Sequence, residues 1–274
     1  MSVGSYDPTT QTRTLDREIN RLADQVELSV DQELEILQRR GLAKSKSLLE
    51  VGCGPGHYLE AIAERFPQLE LAGLDHDEQM IQMAKEQSSL DSKRLYNDSP
   101  NTLADKGALF DCVLLRYVVQ HNPNPDTLLQ HCFKLVRPGG LLAVIDVDAA
   151  LWGAAIPSSP QFAALYRKFE KFQHGQGGDR LVGRKLVPML RPLGGSPPQL
   201  DSFCYHTQPG NNSLFRSQLN PDRLYRAAAN GLITQAELLA AEIEVDQFLE
   251  SPDSFVMMLG FVGSTQRPNS GGAA

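Results

Sequence analysis

The stretch Leu48-Leu49-Glu50-Val51-Gly52-Cys53-Gly54-Pro55-Gly56-His57 decides the fold. A short, mostly apolar run passes straight into alternate glycines, and a helical stretch follows from His57 to Phe66. That order is a buried strand, a tight turn and a helix. Gly52 and Gly54 carry no Cβ, so the chain can turn sharply there and a ligand can lie against main-chain atoms. Amides at the start of the next helix can meet a polar ligand at the same place.

Working outward, the same rhythm repeats. Apolar runs stand at Leu71–Leu74, Leu95-Tyr96, Cys112–Leu115 and Leu141–Ile145, with helical stretches near 57–66, 77–87 and 126–136. Alternating strands and helices, with nearly continuous apolar strands, predict a parallel sheet covered by helices on both faces. Upstream, residues 13–40 read as one helix, with Leu15, Ile19, Leu22 and Val26 at three- and four-residue steps. Downstream of Asp148 the pattern loosens. Helices are expected at 160–173, 182–193, 220–229 and 234–250, and strands at 199–207 and 255–262. The domain reading is a helical lid over 1–46, a core over 47–264 with helical inserts near 150–184 and 209–250, and a disordered tail over 265–274.

Composition narrows the class. The chain has 274 residues, 41% of them hydrophobic, and a formal net charge of -7. Holding nucleic acid takes a basic surface, so the charge argues against a nucleic-acid partner. No apolar run is long enough for a membrane span. The polar first ten residues do not read as a secretory leader. Cys53, Cys112, Cys132 and Cys204 are scattered, so neither a disulfide framework nor a metal site is expected, and the compartment expected is the cytoplasm. Arg180, Arg184 and Lys185 form the one dense basic cluster, read as a solvated helix start.

Glycine spacing discriminates between ligands. A dinucleotide loop has GxGxxG, whereas here the third glycine is Gly56 and His57 holds the last place. Glu50, just before the loop, suits an ammonium-bearing ligand and repels a pyrophosphate. Asp75 ends the second strand about twenty residues on, where a carboxylate can accept both ribose hydroxyls. Taken alone, it would be a helix cap. Asp98, after Asn97, accepts from an exocyclic amine or caps the helix at Ser99-Pro100; both readings stay open. Leu135-Val136-Arg137-Pro138-Gly139-Gly140 reads as a turn into the fifth strand.

Together these features resemble the class I S-adenosylmethionine-dependent methyltransferases over roughly residues 47–148. The flanks are similar to a bacterial small-molecule branch of that family, through Arg21-Leu22-Ala23-Asp24-Gln25 and Gly177-Gly178-Asp179-Arg180. The resemblance implies a Rossmann-like α/β fold with a seven-stranded, mostly parallel sheet and helical lid elements. It implies S-adenosyl-L-methionine as cofactor and a small-molecule acceptor. Glu50, Gly52, Cys53 and Gly54 would line its methionine part. Asp75 would bind the ribose, with His76 and Met80 near the adenine and Asn97 and Asp98 at its edge. Arg116 would face cofactor or acceptor, and Arg21 and Gln25 the cofactor carboxylate or the acceptor. Asn122-Pro123-Asn124-Pro125 loosely resembles the tetrad of enzymes that methylate nucleic-acid amines, but it lacks the aromatic and comes too late, and is read as a loop.

Methyl transfer from a sulfonium needs alignment and exclusion of water, and a base only if the acceptor must first lose a proton. The base candidates are His121 and Asp146, then Asp148 and His206. His121 has a plainer reading as a structurally bonded histidine, and the aspartates as solvated strand ends. Trp152, Phe162, Tyr166, Phe169 and Phe172 offer an aromatic wall for the acceptor, or simply core. The alternatives are a non-methylating protein that keeps the same cofactor site and, on the same fold, a nicotinamide-dependent oxidoreductase.

Overall fold

The inner strands of the central sheet are mostly apolar, and the sheet forms because such strands can be buried on both faces. The computed structural model describes residues 4–151, 154–207 and 212–269. The strands are β1 (Ser47–Val51), β2 (Glu70–Asp75), β3 (Leu95–Asn97), β4 (Phe110–Arg116), β5 (Val136–Val147), β6 (Ala154–Ile156), β7 (Gln199–His206) and β8 (Phe255–Gln266). Their spatial order is β3-β2-β1-β4-β5-β8, with β7 along the other edge of β8 and the short β6 pairing its first residues. The pairs from β3 to β5 are parallel, and β8 runs antiparallel between β5 and β7. This is the expected Rossmann-like sheet, with β7 and β8 in its last two places and β6 as an eighth strand.

The helices are α1 (Pro8–Gln11), α2 (Leu15–Glu27), α3 (Val30–Arg40), α4 (His57–Arg65), α5 (Glu78–Gln87), α6 (Pro100–Asp105), α7 (Pro125–Leu135), α8 (Pro160–Gly175), α9 (Leu186–Leu190), α10 (Asn212–Leu219), α11 (Tyr225–Ala229) and α12 (Gln235–Glu250). One apolar core, with Leu37, Leu48, Leu59 and Leu114, fills one face of the sheet. Another, with Leu49, Val113, Leu129 and Leu186, fills the other. A separate core of Leu165, Phe169, Leu224, Ile233 and Leu238 joins α8, α11 and α12. No helix among the described residues is long and apolar enough to cross a membrane.

Several boundaries differ from the sequence reading. The helix expected over 13–40 breaks at Leu28-Ser29 into α2 and α3. Thr14 caps α2 by accepting from the Arg17 amide, with Asp16 and Glu18 in the favourable first turn. The expected turn at Arg137–Gly140 lies inside β5, as an irregularity where Phe110 faces Val136 but Cys112 faces Leu141. Thr265 and Gln266, expected in a disordered tail, belong to β8 and pair with β5; residues 270–274 lie outside the described residues. The segment expected as a helix over 182–193 is a chain of short turns around α9.

Candidate active site

At the carboxyl ends of β1, β2 and β4 the glycine turn is pinned by backbone bonds. The Gly52 and Cys53 amides donate to the Leu74 carbonyl at 2.7 and 3.2 Å, tying the turn to the end of β2. Gly52 has φ +77, and a Cβ there would meet Val118 Cγ2 at 2.3 Å, so both conformation and space require glycine. The carboxylate of Asp75 accepts from the Gly54 amide and the Asp77 amide, each at 2.9 Å. It is thereby held at the mouth of the turn. Asp77, not Asp75, caps α5, accepting from the Met80 amide at 3.1 Å.

This edge opens into a cavity of about 710 Å³, a volume usual for small-molecule sites. Its lining brings together Glu50, Gly52, Cys53, Gly54, Asp75, His76, Met80, Asp98, Arg116, Arg21, Gln25 and His121, all picked out from the sequence. Asn97 is left out of the lining; its side-chain amide donates to the Asp75 carbonyl at 3.2 Å. Asp98 lines the cavity while pairing with Lys106 at 2.7 Å.

Glu50 is the informative acid. It is buried, and its Oε2 has no hydrogen-bond partner among the described residues. Burial pushes its carboxyl up to about 8, against the pull of Arg116. A buried carboxylate with an open oxygen asks for a cationic donor, and the amino-acid ammonium of S-adenosylmethionine is one. The residues present therefore fit that cofactor.

Arg116 is not a free charge facing the cleft. It forms a fully buried ion pair with Glu33 of α3 at 2.7 Å, and its guanidinium lies 4.5 Å from the ring centres of both Tyr58 and Tyr117. Tyr117 itself has φ +56, a left-handed backbone uncommon for a bulky residue. Its hydroxyl donates to Glu33 at 3.3 Å. Arg21 is likewise engaged, bidentate to Glu18 at 2.9 and 2.6 Å, with a further bond to Gln218 at 3.3 Å.

The base candidates fare unequally. His121 lines the cavity, with Nδ1 3.0 Å from both Ser5 Oγ and Gln173 Nε2. Burial, then the charge of Arg180 and other arginines, lowers it to about 3, so it stays neutral. Asp146 does not reach the cavity. It is fully buried and accepts from the Gln120 and Val147 amides at 3.0 and 2.9 Å, which makes it a brace for the β4–α7 connection. Asp148 pairs with Arg184, and His206 Nδ1 lies 3.0 Å from the Thr207 carbonyl; neither lines the cavity.

Nor do Phe162, Tyr166, Phe169 and Phe172 line it. Phe162 packs against the sheet-side core and Phe169 and Phe172 in the helix–helix core, while Tyr166 stands edge-to-face to Phe169. Trp152 lies outside the described residues. Of the basic cluster, Arg184 and Lys185 are exposed at the start of α9, as expected, but Arg180 is buried and donates to the Tyr166 hydroxyl at 2.9 Å. The cavity also holds residues the sequence reading missed: Tyr6, Tyr58, Tyr117, Gln218 and Arg223. Tyr117 could have been suspected from its place directly after Arg116 at a strand end. Nothing local marks Gln218 or Arg223.

Residues 49–142 match the family model described as a methyltransferase domain. The chain is 31% identical over 164 residues to a trans-aconitate 2-methyltransferase of Methylobacterium radiotolerans, covering 58% of this chain and 57% of that protein. It is 31% identical over 110 residues to the protein of that name from Variovorax paradoxus, covering 40% and 42%. The matches thus span about half the length of these curated relatives. A phosphoethanolamine N-methyltransferase 2 of Haemonchus contortus superposes with TM-score 0.55 at 17% identity, over 97% of this chain and 61% of that one, a likeness of fold. Residues 49–142 are thus similar to a methyltransferase domain, and the fold around them is one that a methyltransferase shares.

Proposed function

We propose that this protein transfers the methyl group of S-adenosylmethionine to a small-molecule acceptor. The observation that carries the reading is the open oxygen of buried Glu50 in the same cavity as the fixed carboxylate of Asp75. The spacing of those two acids suits a ligand with an ammonium at one end and a ribose further on. The curated relatives are named for methylation of trans-aconitate, a small molecule, which supports the acceptor class.

When bound, the cofactor would supply an electrophilic methyl, with its sulfur as leaving group, to a lone pair of the acceptor. The chain's own part is to bind and align. Glu50 receives the ammonium, Asp75 the ribose hydroxyls, Met80 walls the adenine and Asp98 meets its edge. Gln25, beside the engaged Arg21, faces the amino-acid end. Neutral His121 is too weak a base to take a proton at pH 7 and serves as a hydrogen-bonding wall. Catalysis then rests on orientation and exclusion of water.

Calorimetry on ligand-stripped protein tests this. S-adenosylhomocysteine should bind with micromolar affinity, roughly -7 to -9 kcal/mol. Methyl-labelled cofactor should pass label to a component of a small-metabolite extract. A response to NADH with none to S-adenosylhomocysteine would reject the reading.

A further inference from the structure

We propose that Gln120 recognises the acceptor, its side-chain carboxamide oxygen taking a hydrogen bond from an O–H or N–H group that the acceptor carries. This rests on the methyltransferase reading of the cavity and adds the chemistry of the substrate. Gln120 belongs to the short helical turn Val119–His121 that follows β4, and it lines the cavity. The residue is only 5% exposed. Its Oε1 is buried and has no hydrogen-bond partner among the described residues. An unpaired buried carbonyl oxygen is costly, and folded proteins keep few of them. One that stands in the wall of a ligand cavity gains its partner when the ligand arrives.

The rest of the residue is tied down. Its amide donates to the Asp146 carboxylate at 3.0 Å, and its main-chain carbonyl accepts from the Asp179 amide at 2.7 Å and from Gln173 Nε2 at 3.5 Å. The Gly177-Gly178-Asp179-Arg180 segment acts here as a clamp. A Cβ at Gly177 would meet Pro123 Cβ at 2.7 Å, and one at Gly178 would meet the Gln120 carbonyl oxygen at 2.9 Å and Ser5 Oγ at 2.5 Å. Only glycine lets the segment lie so close against the turn. The main chain of residue 120 is thus fixed from β5 on one side and from this segment on the other, while the side-chain oxygen is left open. A fixed backbone carrying an open polar group is preorganised for a ligand.

The clamp also sets the polarity of the neighbouring residue. Gln173 Nε2 donates to the Gln120 carbonyl, so at 3.0 Å from His121 Nδ1 the same nitrogen is a donor again, and Nδ1 accepts. The neutral His121 ring then carries its proton on Nε2. Adjacent residues of the cavity lining therefore offer an acceptor, Gln120 Oε1, and a donor, His121 Nε2–H. That pair is the complement of a hydroxyl or an amide. A carboxylate has no hydrogen to give and leaves Gln120 Oε1 unpaired.

The test uses the full chain and methyl-labelled S-adenosylmethionine, with a small-metabolite extract titrated in and the labelled product identified by mass spectrometry. Gln120→Leu should raise the extract concentration needed for half-maximal labelling at least tenfold, while S-adenosylhomocysteine affinity stays within twofold. The melting temperature of the ligand-free variant should hold or rise, because a buried unpaired oxygen has been removed. A residue that only supported the fold would do the reverse, lowering the melting temperature and leaving half-saturation unmoved. Gln120→Glu, which keeps an oxygen at this place, should recover part of the lost labelling. Gln120→Met takes the place of Gln120→Leu should that variant fail to fold. Half-saturation unmoved in the folded variants, or a labelled product whose parent acceptor has neither O–H nor N–H, would overturn the assignment. A wild-type protein that binds no S-adenosylhomocysteine and labels nothing would instead remove the methyltransferase reading beneath it.

Discussion

The two walls of the cleft are built in opposite ways. The acidic wall comes from strand ends and one glycine turn: Glu50, Gly52, Gly54 and Asp75 sit within twenty-six consecutive residues, and backbone amides fix them. The helical wall is made of side chains meeting across the chain. Arg21 bonds Gln218, 197 residues away, and Ser5 bonds His121, 116 residues away. A wall made of backbone is set by the sheet as soon as the sheet forms. A wall made of long side chains exists only once the helices have docked. The first should therefore tolerate loss of the second, but not the reverse.

The joint between the walls gives the largest expected effect. Arg116 on β4 and Glu33 on α3 form a buried pair, and removing one member leaves the other charge uncompensated. Glu33→Ala should cost about 3–5 kcal/mol of stability, a fall in melting temperature of roughly 10 °C for a domain of this size. A fall of less than about 2 °C in a thermal melt would show that the helical wall is not anchored there.

Within the acidic wall, Asp75→Ala should weaken S-adenosylhomocysteine binding by about 2–3 kcal/mol, roughly 30- to 150-fold. Loss of its bonds to the Gly54 and Asp77 amides should loosen the turn locally and leave the helical wall intact. Calorimetry giving wild-type affinity with an intact melting profile would reduce Asp75 to a latch for the turn.

The smallest effect sharpens the comparison through pH. The Glu50 carboxyl is raised to about 8 in the folded protein, from 4.5 for the ordinary group. A raised acid contributes stability that is complete below about pH 4.5 and is lost as pH climbs through 8, because the ionised form is poorly solvated. A ligand ammonium reverses this by pairing with the ionised form. Binding below pH 8 must then release a proton, so affinity should rise with pH, approaching tenfold per unit between 6 and 8, and level off above. Glu50→Gln should bind more weakly and lose the slope. A wild-type affinity that is flat over this range, or an unchanged slope in the variant, would mean that Glu50 does not meet the ligand charge.

The sequence by itself determined the sheet and the acidic wall. Strand burial, turn conformation and the position of a strand-end carboxylate are local properties, legible from apolar runs, glycines and the spacing from Glu50 to Asp75. It also pointed to His121 as a cavity residue. It could not tell which charges face each other. Arg116 reads as free for a ligand until α3 docks and brings Glu33 to 2.7 Å. Asp146 reads as a base at a strand end until the β4–α7 connection folds over it and its oxygens take up the Gln120 and Val147 amides. Phe162, Phe169 and Phe172 show a helical apolar face, but periodicity says only that the face is covered, not by what; α12, α11 and the sheet-side core cover it. Arg223 carries no local signal at all. Its place in the cavity depends on Arg21 and Gln218 arriving from other segments, and that convergence is decided by helix packing, because a side chain's electrostatic partners are neighbours in space and the sequence orders neighbours only along the chain.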